Sequence, residues 1–177
     1  MAKTPGSIDS LSEDMKELLF VMNEESDLAA VLVGTSYLDQ CLGTLIKRKL
    51  GTTPLTLKLL GPEKGSLGEL QSRAEIVHSL GLIARPIHDD LIKIAEIRNH
   101  FAGGDLMASF ADQKVNELCE GLVLIRLFDQ TWFEANGKAT DKSARSRFIA
   151  TVAFICQRLL IDAFGPRIEK NNDLPQP

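Results

Sequence analysis

The feature that most constrains this chain is the interval at which its apolar residues return. From Leu11 to Phe164 they recur at three and four residues, with glycine or proline at the breaks. That spacing lines one face of an α-helix, whereas a half-buried strand needs strict alternation. The chain is therefore expected to be all-α. Start and stop signals divide it. Ser10-Leu11-Ser12-Glu13 and Ser66-Leu67-Gly68-Glu69 are capping-box patterns, in which a hydroxyl and a carboxylate satisfy each other's free amides. They predict helices over 11–23 and from Ser66 to Leu80, the second ending at Gly81, where a left-handed cap favours glycine.

Between them a long helix is expected from Asp27 to Lys49, with Leu28, Leu32, Thr35, Leu42 and Ile46 on one stripe. Lys47, Arg48 and Lys49 complement the negative end of its dipole, Gly51 stops it, and Pro54 opens a short helical piece. Pro86 fits the first turn of a helix reaching Ala102, where Gly103-Gly104 ends it. Ser109 to Asp112 caps a further helix over 111–132. Asn136-Gly137 is a turn, and Thr140 caps a last helix to Phe164. The β-branched residues of 52–60 are too few to build a sheet.

Six to seven helices joined by short loops make an irregular bundle in a single domain over 11–165, with a flexible leader at 1–10 and a mobile tail at 166–177. Formal net charge is -4 and the pI about 5.4, so no long-range field draws the chain to phosphate backbones or anionic lipid. No uninterrupted apolar run approaches the roughly 18 residues a membrane span needs, and no secretory h-region is present, so the expected compartment is the cytoplasm. Cys41, Cys119 and Cys156 are odd in number and lie inside helical patterns, as reduced core thiols do.

Polar residues on faces that otherwise look buried mark the candidate site. Asp39 interrupts the apolar stripe of the long helix. Arg98 shares a face with Ile87, Leu91, Ile94 and Phe101, which turns it toward the core, and Arg73 lies at the edge of a stripe, four residues after Glu69. Breaking a buried ion pair costs about 3–5 kcal/mol, so Asp39 is expected to meet Arg98 or Arg73. Glu69, Asn99 and His100 complete a polar cluster that either sets helix register or forms a small binding site. No nucleophile, base and oxyanion donors converge, so no catalytic residue is assigned and the chain is not expected to be an enzyme. His78, His88 and His100 lack ligand spacing for a metal, Gly103-Gly104 follows a helix where a phosphate cradle must precede one, and no cofactor is implied. Lys138, Lys142, Arg145, Arg147 and Arg158 are interrupted by Asp141 and read as a solvated face. A helix-turn-helix reading of 75–98 would place Asp89, Asp90 and Glu96 against DNA, so direct DNA binding is not expected.

The run from Gly65 to Gly103 resembles the central block of the mannitol operon repressor family. The resemblance rests on Gly65, Leu67, Gly68, Leu70, Arg73, Leu80-Gly81-Leu82-Ile83 and Arg98-Asn99-His100. It implies a cytoplasmic all-helical regulator of sugar-alcohol utilisation genes that works through a regulatory protein partner, of the phosphotransferase system or the transcription machinery. A homodimer is the default expectation. Ile97 to Ala102 is also similar to the arginine-asparagine element of the HEPN superfamily, which implies an alternative: RNA binding or cleavage centred on Arg98, Asn99 and His100. Active members carry a histidine four to six residues after the arginine, where this chain has Ala102, Gly103 and Gly104. That departure suits a non-catalytic relative.

Overall fold

A computed structural model describes residues 8–61, 65–103, 107–127 and 143–164. In chain order its helices are α1 (Ile8–Glu24), α2 (Asp27–Leu50), α3 (Pro54–Leu59), α4 (Leu70–Ser79), α5 (Arg85–Ala102), α6 (Gln113–Glu120), α7 (Leu124–Leu127) and α8 (Ala144–Phe164). There is no strand among the described residues. The all-α reading holds, with eight helices among the described residues against the six to seven expected.

α2 runs through the middle of the bundle and packs against α1, α4, α5 and α8. Its Val31, Leu38, Leu42 and Ile46 are sealed in one core with Met22, Leu91, Ile94, Phe148, Val152, Ile155 and Leu159. Gly34 lets α1 and α8 come close, because a Cβ there would meet Met22 Sδ at 3.2 Å and Val152 Cγ1 at 3.4 Å. α2 is also long and apolar enough to cross a membrane by composition, with a mean hydropathy of 1.3 over its best window. Here that composition serves a core: four helices cover α2, and 56% of the window is buried.

Local side chains and glycines finish several helix ends. Ser26 accepts the Ala29 amide at 3.2 Å, and Thr53 caps α3 by accepting the Thr56 amide at 3.1 Å. Gly51 and Gly81 hold φ of 81° and 68°, left-handed values that side chains resist. Three expectations need correction. α1 begins at Ile8, so Ser10 lies inside the helix and does not cap it. The Ser66 capping box does not form: residues 65–69 are turn and loop, and Glu69 takes the cap position without a side-chain bond, because Arg73 recruits the Leu67 carbonyl from this segment. The single helix expected from Ala111 is split into α6 and α7 at Gly121. The Asn136-Gly137 turn, the Thr140 cap and the tail at 166–177 lie outside the described residues.

The split has a visible cause in Asp90, whose residue is 0% exposed. Its Oδ1 and Oδ2 accept the Val123 amide at 2.8 and 3.0 Å, and Oδ2 accepts the Leu124 amide at 2.8 Å. A carboxylate from α5 thus supplies the cap that α7 lacks locally. At the other end of the bundle Arg145 of α8 closes the α1–α2 corner. It donates to Asp27 Oδ1 at 2.6 Å and to the Met22 and Glu25 carbonyls at 2.9 and 2.5 Å, while Asp27 Oδ2 accepts the Phe110 amide at 3.0 Å. Arg145 is therefore not part of a solvated basic face, contrary to the expectation. Arg158 pairs with Asp162 on α8, and Lys138 and Lys142 lie outside the described residues.

Asp90→Ala leaves the buried Leu124 amide and the part-buried Val123 amide without an acceptor, a loss of about 2–4 kcal/mol. At roughly 2–4 °C per kcal/mol for a chain of this length, thermal unfolding should show a Tm lower by about 5–15 °C.

Candidate functional site

Arg73 is the organising side chain. It leaves α4 on the buried side and is 8% exposed, and its guanidinium reaches four acceptors. Nε donates to the Leu67 carbonyl at 2.7 Å. Nη1 donates to Asp39 Oδ2 at 2.6 Å and to the Asp39 carbonyl at 2.9 Å, and Nη2 donates to the Leu60 carbonyl at 2.8 Å. A planar fork of five donors is suited to several fixed oxygens at once, and here it joins α2, the end of α3, the 65–69 segment and α4. Room for it comes from Gly43, where a Cβ would stand 3.3 Å from Nη1.

Asp39 is only half satisfied. Oδ2 pairs with Arg73, but Oδ1 is buried with no partner among the described residues. Burial pushes the Asp39 carboxyl above the ordinary carboxylate value, and Arg73 and then Arg98 pull it down without cancelling that effect.

Above Asp39 lies a cleft of about 130 Å³ lined by Leu32, Thr35, Ser36, Asp39, Gly68, Leu70 and Arg98. That is well under the roughly 300–1,000 Å³ of a small-molecule pocket. Thr35 turns its hydroxyl to the Val31 carbonyl at 2.7 Å and so withholds it from the cleft. Leu32, expected in the buried stripe, is 41% exposed at the cleft wall.

The remaining candidates do not converge. Arg98 is exposed, contrary to its expected core orientation. It lines the cleft near enough to Asp39 to pull that carboxyl down, while the residue as a whole stays exposed, as an arginine at the edge of an apolar face does. Asn99 and Glu69 are exposed. His100 turns elsewhere and places Nε2 3.0 Å from Asp112 Oδ2. Asp112 also accepts the Ser109 amide at 3.2 Å, and the His100 and Ser109 bonds together hold its carboxyl below the usual value. Arg98 and His100 thus serve two different places, and no acid–base pair forms between them within one chain. His78 and His88 stack with centroids 4.6 Å apart, and no group of three potential metal ligands occurs among the described residues.

Asp27, Asp90 and Arg145 went unread as structural anchors. Nothing local could have revealed them, since Asp27 and Arg145 are 118 residues apart and Asp90 and Val123 are 33 apart.

A multi-helix bundle around one central helix, with a small polar cleft and no catalytic constellation among the described residues, places the chain in the fold of the mannitol-repressor structures. The chain superposes on MtlR from Escherichia coli, as seen in the MtlR–HPr complex, with a TM-score of 0.61 at 15% identity, covering 82% of this chain and 97% of that one. It also superposes on YggD from Shigella flexneri 2a, described as a possible transcriptional regulator, with a TM-score of 0.54 at 15% identity, covering 92% and 98%. No family model and no curated protein sequence matches the chain. At this identity the likeness is one of fold.

Arg73→Ala takes the buried partner from half-buried Asp39 and should cost about 2–4 kcal/mol in urea unfolding, whereas Arg98→Ala at the exposed rim should stay within about 0.5 kcal/mol. Equal losses would show that Arg98 shares the structural role. Asp112 titrates below its ordinary 3.8 in the folded state, so its ionised form stabilises the fold above that pH and the contribution fades as pH falls through the folded-state value. The Tm gap between wild type and Asp112→Ala should therefore be present near pH 5 and narrow steadily on acidification past 3.8.

Proposed function

We propose that this chain is a non-enzymatic transcriptional regulator, a repressor or co-repressor of a sugar-alcohol utilisation operon, that acts by contact with another protein and does not read DNA itself. The observation that carries the reading is the shared fold with MtlR, a protein whose structure was solved in complex with HPr. By that likeness the partner class is a phosphotransferase-system protein of the HPr kind.

Electrostatics supports the protein-contact half of the reading. The net charge of -4 repels phosphate backbones. The cations a nucleic acid would need are in part already used, with Arg73 on Asp39, Arg145 on Asp27 and Arg158 on Asp162. α5, the helix that would have to enter a groove, buries Asp90 and carries Asp89 and Glu96 beside it.

Titrating the purified chain with HPr from its own organism in a calorimeter should give saturable binding in the micromolar range. Fluorescence anisotropy with operator-region DNA should stay flat at about 50 mM salt, where phosphate contacts are strongest. Absence of HPr binding together with DNA binding that falls steeply with salt would reverse the assignment.

A further inference from the structure

The α2–α3 corner has its polarity inverted. α3 buries Thr56, at 4% exposure, and turns Leu55 and Leu57 outward at 65% and 48%. Leu50, at the end of α2, is 43% exposed beside them. Scattered single apolar residues on a surface are ordinary, but three leucines within eight positions, at a corner whose short helix hides its threonine, are a patch. Its rim is basic. From Gln40 to Pro62 the chain has no acidic residue, although it has 24 in all, and Lys47, Lys49 and Lys58 lie in this stretch. Lys49 and Lys58 are exposed.

The complementary face is on the same molecule. On α1, Glu13, Glu17, Phe20 and Glu24 step by four, three and four, which sets them on one stripe. All four are exposed, and Phe20 most conspicuously, at 68%. Asp14 and Glu25 extend the acidic character, against the single cation Lys16. One face thus offers leucines rimmed by lysines, and the other a phenylalanine rimmed by glutamates.

We propose that a second copy of this chain is the occupant: the Phe20 stripe of α1 in one copy docks on the Leu50–Leu55–Leu57 corner of another. Apolar contact supplies the affinity and the opposed charges set the pairing and its register. Each copy carries both faces, so two copies about a twofold axis make the contact twice, which closes the assembly as a dimer. This association stands apart from the regulatory reading, since its test involves neither HPr nor DNA.

Sedimentation velocity of the full chain from about 5 to 200 μM should show a shift from 19.5 kDa toward twice that mass, stronger at low salt than at about 500 mM, where the Debye length shrinks to a few ångströms. Leu55→Asp with Leu57→Asp should abolish the shift while circular dichroism stays unchanged, because both side chains are exposed. The charge exchange is more specific. Lys49→Glu with Lys58→Glu, and separately Glu17→Lys with Glu24→Lys, should each lose self-association, and mixing the two variants should restore it. A monomer across the range at low salt, a dimer indifferent to the leucine substitutions, or a mixture that fails to recover would each overturn the proposal. Binding to anionic vesicles or to an acidic protein through the leucines, without self-association, would overturn it as well.

Discussion

Much of this fold depends on one guanidinium. Arg73 meets two carbonyls from connecting segments and both a carbonyl and a carboxylate from α2, so four separately built pieces of chain share one rigid planar cation. The pair could not be left half made, since a buried charge without its partner costs several kcal/mol. The 65–69 segment is accordingly pulled into a turn and not into the first turn of α4, and the polar cleft above Asp39 is the space left over. What looks from its charges like a binding site is in large part a consequence of fastening α4 to α2.

The same device recurs at the bundle's other weak points. Short helices leave orphan amides and carbonyls at their ends, and an irregular bundle has many ends. Here Asp90 serves the start of α7 and Arg145 the end of α1, each from a distant helix, while Asp27 bridges to Phe110. The long helices α2, α5 and α8 therefore form the apolar core and also hold the smaller pieces in register. These anchors draw five charged residues, Arg73, Asp39, Asp90, Arg145 and Asp27, into contacts between separate segments. The surface is left with an acidic α1 and a basic α2–α3 corner as its most distinct features, and both suit protein contact better than catalysis.

The helical class was legible because periodicity is local, and Gly51 and Gly81 stop helices through their own backbone geometry. The Asp39 charge within an apolar stripe was legible too, but the choice of Arg73 over Arg98 was not. Both arginines lie on faces turned toward α2, and their side chains are long enough to end in either environment. Only the position of the 65–69 carbonyls and the space above Gly43 settles which one is buried. The break between α6 and α7 was hidden for a similar reason, since its cap comes from another helix.

The sequence by itself thus determined that the chain is helical, where several of the helices begin or end, and that Asp39 must find a cation, because these follow from spacing, capping and desolvation within a few turns. Tertiary structure alone decided which cation that is, which carboxylate caps α7 and which leucines remain outside. Those outcomes depend on groups brought together from 30 to more than 100 residues apart, and no local energy distinguishes one remote partner from another.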